Sequence, residues 1–152
     1  MKYRLLNIIC CPACSGRLDL TTDENIKEEI INGVLLCNRC NNQYNIKEGI
    51  PDLTVSYVSG LAPASGYNIK DTDITYSLLW KDSEEKADFP DCHYEKMQEV
   101  IPENIITGKI GLEVGCGSGV DLWAMAKKCP DTEVVALDIS EGVYAALSLI
   151  HI

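Results

Sequence analysis

Two Cys-x-x-Cys pairs constrain this chain more than anything else in it. Cys11-Pro-Ala-Cys14 and Cys37-Asn-Arg-Cys40 stand 22 residues apart, close to the spacing that reads as a four-sulfur zinc site. A sharp turn at each knuckle aims both of its thiolates at one point, and two knuckles at the ends of neighbouring strands complete a tetrahedron. Pro12 and Gly16 suit the first turn, and Asn41-Asn42 suits left-handed backbone after the second. "GVLLC" reads as a strand entering the second knuckle and "QYNI" as one leaving it. Two other readings stand beside zinc. A redox dithiol places one Cys-x-x-Cys at the start of a helix that follows a strand, a context neither pair has, and such spacing also arises by chance. Cys10 lies one residue too far from Cys14 for a knuckle, so the expected metal ligands are Cys11, Cys14, Cys37 and Cys40. Four sulfurs leave no open coordination position, which makes the role structural, and metal binding then supplies folding energy to a segment with little core. Cys92, Cys116 and Cys129 read as small buried hydrophobes.

The same segment carries a resemblance. "LLNIICCPACSGRLDL", followed by "GVLLCNRCNNQYNIKEGIPDL", resembles the small zinc-ribbon proteins that bind and activate tRNA and protein methyltransferases. It is similar too to the ribbon fused to the front of bacterial methyltransferases. The likeness covers residues 3–53, with Gly49-Ile50-Pro51-Asp52-Leu53 as its most specific tail. The insert "TTDENIKEEIIN" departs from the pattern and is expected to lengthen a hairpin without disturbing the metal shell. The resemblance implies a β zinc ribbon over residues 1–55 and a protein partner met through it. Residues 56–75 follow as a linker, most of which lies in a stretch, "TVSYVSGLAPASGYNIK", that is rich in Ser, Gly, Ala and Pro.

Charge and hydropathy exclude several classes. The net charge of −10 is uneven: residues 1–60 carry six Lys/Arg against seven Asp/Glu, and residues 61–152 seven against sixteen. So acidic a second part argues against strong binding to a nucleic-acid backbone. The run "LLNIICC" is too short for a membrane span and is followed at once by Pro12, unlike a signal peptide. The expectation is a cytoplasmic protein with no membrane partner.

Beyond the linker, Tyr76 and Trp80 in "DITYSLLWKD" fall four apart, on one face of a helix, and packing explains them more simply than ligand contact. Residues 82–103 hold eight acidic residues against two lysines. There "CHYEKMQEVI" sets Tyr94, Met97, Val100 and Ile101 on one stripe of an amphipathic helix, and His93 receives no catalytic role.

The stretch "GKIGLEVGCGSGVDLWAMAKKCPDTEVVALDIS" carries the second signal. Ile110–Val114 reads as a buried strand, followed by a Gly-x-Gly-x-Gly loop at Gly115, Gly117 and Gly119. A helix over Val120–Lys128 comes next, with Val120, Trp123 and Ala124 inward. Pro130-Asp131-Thr132 breaks the chain before a second strand that ends at Asp138. This is the start of an α/β unit with parallel strands and a right-handed crossover. A dinucleotide fingerprint needs glycine where Val120 stands. The tighter loop with Glu113 two residues upstream resembles motif I of class I S-adenosylmethionine-dependent methyltransferases. That resemblance implies cofactor binding by Glu113, Gly115, Gly117, Gly119, Asp138 and Ile139. Glu113 would orient the methionine amino end through water, Asp138 would accept from the ribose hydroxyls, and Ile139 would pack on adenine. A Rossmann-like domain for another nucleotide, or one that binds nothing, is the competing reading.

The methyltransferase part is expected over residues 76–146 and is incomplete, since such a fold needs more strands than the two present. No residue is assigned as catalytic base and the methyl acceptor is unidentified. The tail Leu147–Ile152, "LSLIHI", reads as one frame of a transposase mosaic-end sequencing adapter; a native helix continuation is the alternative. Two parallel strands are further expected to expose apolar surface from "GLEV" and "VVALDIS". The functional expectation is a fragment of an S-adenosylmethionine-dependent methyltransferase carrying structural zinc. The alternative is a zinc-ribbon interaction module that docks on a separate methyltransferase.

Overall fold

The computed structural model describes residues 1–26, 29–54, 74–78 and 92–150, and the chain divides into two compact units, Met1–Ala62 and Pro63–Ile152. The segment 55–73, which holds most of the expected linker, lies outside the described residues, as do Trp80 and the acidic run at 82–91.

The first unit is an antiparallel sheet in the order β1 (Leu18–Ile26), β2 (Glu29–Cys37), β3 (Gln43–Lys47), β4 (Ile50–Pro51), preceded by a short 3-10 helix at Tyr3–Asn7. The insert does lengthen the β1–β2 hairpin, whose pairing runs from Leu18 opposite Cys37 to Ile26 opposite Glu29 with irregularities between Thr21 and Asn25. β3 alternates with Tyr44 and Ile46 inward, as a half-buried strand must. Lys47 then pairs with Ile50 across Glu48-Gly49, both at positive φ (52° and 82°). Two such residues in a two-residue loop make the hairpin turn whose twist matches its strands. The Asp52 amide donates to Asn45 O, which seats the tail of the ribbon so that Leu53 reaches the core.

That core consists of Met1, Cys11, Leu18, Ile30, Leu35, Cys37, Tyr44 and Ile46. Two of its eight residues are expected metal ligands. A core this small is marginal alone, the situation in which a metal staple contributes most.

The second unit contains a helical turn at residues 74–78, α1 (Cys92–Val100), α2 (Glu103–Ile106), β5 (Ile110–Val114), α3 (Val120–Lys128), β6 (Glu133–Leu137) and α4 (Gly142–Ile150). β5 and β6 pair in parallel from Ile110 opposite Glu133 to Val114 opposite Leu137. The strand and helix bounds read from the sequence for β5 and α3 coincide with those observed. Ser140 caps α4, its Oγ accepting from the Gly142 amide at 3.3 Å.

Two inward stripes differ from expectation. In α3 the buried residues are Leu122 and Ala124, while Trp123 is half-buried and carries Lys127 Nζ 3.4 Å from its ring centroid. Leu122 and Ala124 lie about 200° apart around a helix, so α3 is covered from two sides, by α4 and by α1. In α1, Tyr94 is buried as expected, but Val100 and Ile101 are exposed because the helix ends there.

Among the described residues the sheet is covered on one face only. Val134 and Ala136 pack against Cys116, Leu122 and Ala146. On the other face Ile110, Leu112 and Val114 are 62%, 62% and 74% exposed, with Leu137 beside them. β5, read from the sequence as a buried strand, is thus bare on one face because nothing among the described residues covers it; the apolar exposure expected of two strands alone is present, where parallel sheets are normally covered on both faces. Among the described residues no helix is long and apolar enough to cross a membrane.

Candidate functional site

The two knuckles are the same local structure built twice. In the first, the Ser15 amide donates to Cys11 O (2.8 Å) and the Cys11 amide to Gly16 O (2.9 Å). In the second, the Asn41 amide donates to Cys37 O (3.0 Å) and the Cys37 amide to Asn42 O (2.9 Å). The residue after each pair, Ser15 and Asn41, takes left-handed backbone at φ 56° and 59°. Asn41 fills that role as read from sequence. In the first knuckle the role falls to Ser15, and Gly16 is needed for space instead: a Cβ there would lie 2.8 Å from Cys37 Sγ and 3.2 Å from Cys14 Sγ.

These turns bring the four sulfurs of Cys11, Cys14, Cys37 and Cys40 within 4.8 Å of one another. Cys11 Sγ is 3.6 Å from Cys40 Sγ, and Cys14 Sγ 3.5 Å from Cys37 Sγ. Tetrahedral zinc with bonds of about 2.3 Å separates its sulfurs by about 3.8 Å, so the donor set fits that ion. The thiols compete for charge. Burial pushes Cys11 up, but the Tyr44 hydroxyl, the Ala13 and Cys14 amides and Cys40 together draw it down to about 6. Cys14, although the Gly16 amide lowers it, is pushed up to about 12 by burial and its three sulfur neighbours. Four sulfurs this close cannot all lose their protons unless a cation balances them, and a divalent metal does so. Cys10 is exposed and outside the cluster.

In the second unit the glycine loop leaves the carboxyl end of β5 with Gly115, Gly117 and Gly119 all at positive φ. Open space lies over Gly115, where an added Cβ would meet nothing within 4 Å. Gly119 serves packing, since a Cβ there would come 2.6 Å from Ala146 Cβ. Asp138 ties the loop to the start of α4. Its Oδ2 accepts from the Gly117 amide (2.7 Å), and its Oδ1 from the Ser140 amide (2.7 Å) and hydroxyl (2.6 Å). Burial raises this carboxyl, but the bonds from Ser140, Gly117 and Ile139 outweigh it and hold the group below the usual range. Glu113 is the opposite case. Its Oε2 is buried without a hydrogen-bond partner among the described residues, and burial, then the nearby Asp121 carboxylate, raise its pKa. Ile139 is exposed. His93 Nδ1 lies 3.4 Å from Asp121 Oδ2 on the surface, a pairing across helices that no local spacing signals. Cys116 and Cys129 are buried, and the Cys92 side chain lies outside the described residues.

Comparison with known proteins bears on the first unit. Residues 2–49 match the family described as Trm112p-like protein. A UPF0434 protein of Vibrio cholerae is 43% identical over 53 residues, which are 35% of this chain and 76% of that one. The chain belongs to the Trm112p-like family. An Enterobacter UPF0434 protein is 37% identical over 62 residues, 41% of this chain and 90% of its own. A UPF0434 protein of Aliivibrio fischeri is 43% identical over 51 residues, 34% of this chain and 66% of its own length. A chain from a solved complex of the Haloferax volcanii Trm112 methyltransferase activator is 38% identical, with TM-score 0.35, covering 36% of this chain and 93% of that one. The family match ends before the α/β unit begins, so the reading of the glycine loop rests on its own geometry.

Proposed function

We propose that the ribbon is a zinc-stabilised docking module for a methyltransferase. Family membership carries this reading. The metal tetrad supports it, because a closed four-sulfur shell holds two knuckles and the strands behind them in one rigid surface without chemistry of its own. The partner is a class I methyltransferase met through the ribbon. The test is co-expression of the full chain with methyltransferases that lack a ribbon. The expected result is co-purification with raised methyl transfer, both lost in Cys37→Ser; equal activity of the enzymes with and without the chain opposes the reading.

A second reading concerns the α/β unit: it supplies part of an S-adenosylmethionine site in the same polypeptide. The orphaned Glu113 Oε2 favours it, because a buried carboxylate oxygen without a donor suits a cationic ammonium group. The open space over Gly115 allows close approach of a ligand. Asp138 fits with a limit. A carboxylate offers about four acceptor sites; the Gly117 amide and the Ser140 amide and hydroxyl take three and the Ile139 amide also points to it, so a ribose hydroxyl would have to share or displace one of these donors. When bound, the cofactor supplies an electrophilic methyl group; Glu113 and the glycine loop bind and orient its amino-acid end. Calorimetric titration of the full chain with S-adenosylmethionine tests this, and both Gly117→Val and Asp138→Ala are expected to weaken binding. Undiminished affinity in the two variants counts against it.

A further inference from the structure

The four sulfurs are not equivalent in what surrounds them. Cys11 and Cys37 are fully buried, while Cys40 is exposed and Cys14 lies between. Exposed metal thiolates take hydrogen bonds from water; buried ones depend on donors that the chain provides. Cys37 Sγ receives the Arg39 amide at 3.4 Å, a contact intrinsic to the turn. Cys11 Sγ has the Ala13 and Cys14 amides of its own turn and, in addition, the Tyr44 hydroxyl 3.1 Å away, which comes from a strand and not from the knuckle.

We infer that Tyr44 is a positioning residue of the metal centre, its hydroxyl donating to Cys11 Sγ and so setting the electron density and orientation of that thiolate. This rests on the reading that the tetrad holds zinc. The direction of the bond follows from inventory: a metal-bound thiolate has no proton to give, and a phenol has one. The strand fixes the geometry. Tyr44 stands opposite Leu35 in the β2–β3 ladder and points inward with Ile46. Leu35 is itself fully buried in the same core, but the backbone pairing of β3 with β2, not that side chain, sets where the ring stands. Hydrogen bonds to ligating atoms from outside the coordination shell orient the ligand and tune the metal, and removing one costs roughly 10- to 100-fold in affinity. The spacing of four residues from Cys40 to Tyr44 is therefore part of the site, not merely the first turn of the outgoing strand.

The test is cobalt substitution in the full chain, comparing the natural sequence with Tyr44→Phe and Leu35→Ala. Cobalt reports coordination geometry in its visible bands and thiolate electron density in its sulfur-to-metal charge-transfer bands. In Tyr44→Phe the visible bands are expected to keep their tetrahedral pattern. The charge-transfer bands move to lower energy, because a thiolate that loses its donor holds its electrons less tightly, and zinc competition against a chelator weakens about 10-fold. Leu35→Ala loosens the packing around the ring but keeps the hydroxyl, so its charge-transfer bands stay in place. Bands and affinity unchanged in Tyr44→Phe overturn the inference, as does an equal band shift in Leu35→Ala. Absence of a tetrahedral cobalt spectrum from the natural sequence overturns the zinc reading and the inference together, which separates the two failures.

Discussion

Gly16 offers the sharpest perturbation of the metal centre, because the backbone there is ordinary and the constraint is space alone. In Gly16→Ala the new methyl would lie 2.8 Å from Cys37 Sγ, 2.8 Å from Arg39 Cβ and 3.2 Å from Cys14 Sγ. Ordinary contacts of carbon begin near 3.5 Å, so the second knuckle must retreat by about 0.7 Å, and the nearest carbon is a Cβ that cannot swing away. Metal–ligand distances tolerate about 0.2 Å. Either the shell distorts or the chain absorbs an overpacking strain of about 1–3 kcal/mol. If that strain falls on the loaded state, zinc affinity drops by about five- to hundredfold at about 1.4 kcal/mol per tenfold. Chelator competition on the full chain measures it, with cobalt visible bands as a second readout. Gly108→Ala is the control: its φ of 72° with nothing within 4 Å costs about 1–2 kcal/mol of backbone strain and leaves metal affinity alone. Affinity and bands in Gly16→Ala equal to those of the natural chain would refute the assignment of Cys14 and Cys37 to one shell.

Cys10→Ser is expected to keep one zinc per chain by elemental analysis, whereas Cys11→Ser lowers that content, because only Cys11 belongs to the cluster. The Asp138 carboxyl has a lowered pKa in the folded state, so its contribution is complete above the unfolded value of about 3.9 and is lost as pH falls through the folded one. Asp138→Asn should accordingly lower the urea midpoint at pH 6 and have little effect at pH 2. Gly119→Ala combines a φ of 81° with a clash against Ala146, and should cost about 2–5 kcal/mol, read from Trp123 fluorescence during urea unfolding. Leu112→Thr changes a side chain 62% exposed; it should alter stability by less than about 0.5 kcal/mol while raising solubility measured by precipitation, and a large loss of stability would mean that the face is covered.

What could be read from the chain is what a few consecutive residues determine. The knuckles were legible because two cysteines and the turn between them form a local unit, and so were β5, the glycine loop and α3, where period and turn residues change within a few positions. What escaped depends on partners distant in sequence. Tyr44 reads as an ordinary strand residue until the β2–β3 pairing sets its hydroxyl against a sulfur contributed 33 residues earlier. Leu122 is buried and Trp123 only half-buried because α3 meets α4 and β6 as well as α1, and one sequence stripe describes a single covering surface. The engagement of Asp138 with Gly117 and Ser140 is also invisible in a motif, which names a carboxylate but not the donors that already occupy it.

The two units differ in how far each is closed, and this ranks the two functional readings. The ribbon gathers eight buried residues into one core and sets its four sulfurs within 4.8 Å of one another, a spacing that fits one ion, with Tyr3, Ile8 and Leu36 the large apolar residues left exposed among those described. The α/β unit leaves Ile110, Leu112, Val114 and Leu137 exposed on one face of its sheet and an unpartnered carboxylate oxygen beside its loop. Glu113 and Gly111 lie on the helix-covered side of the sheet, in register with Ala136 and Val134, opposite the bare face. Covering that face would remove apolar area from water at about 25 cal/mol per Å² and stiffen β5, the strand that holds Glu113 at the loop. Cofactor affinity should therefore rise when the bare face is covered, whereas the zinc affinity of the ribbon should not change. A titration that finds full cofactor affinity with the face still exposed would contradict this coupling and promote the enzyme reading to equal standing.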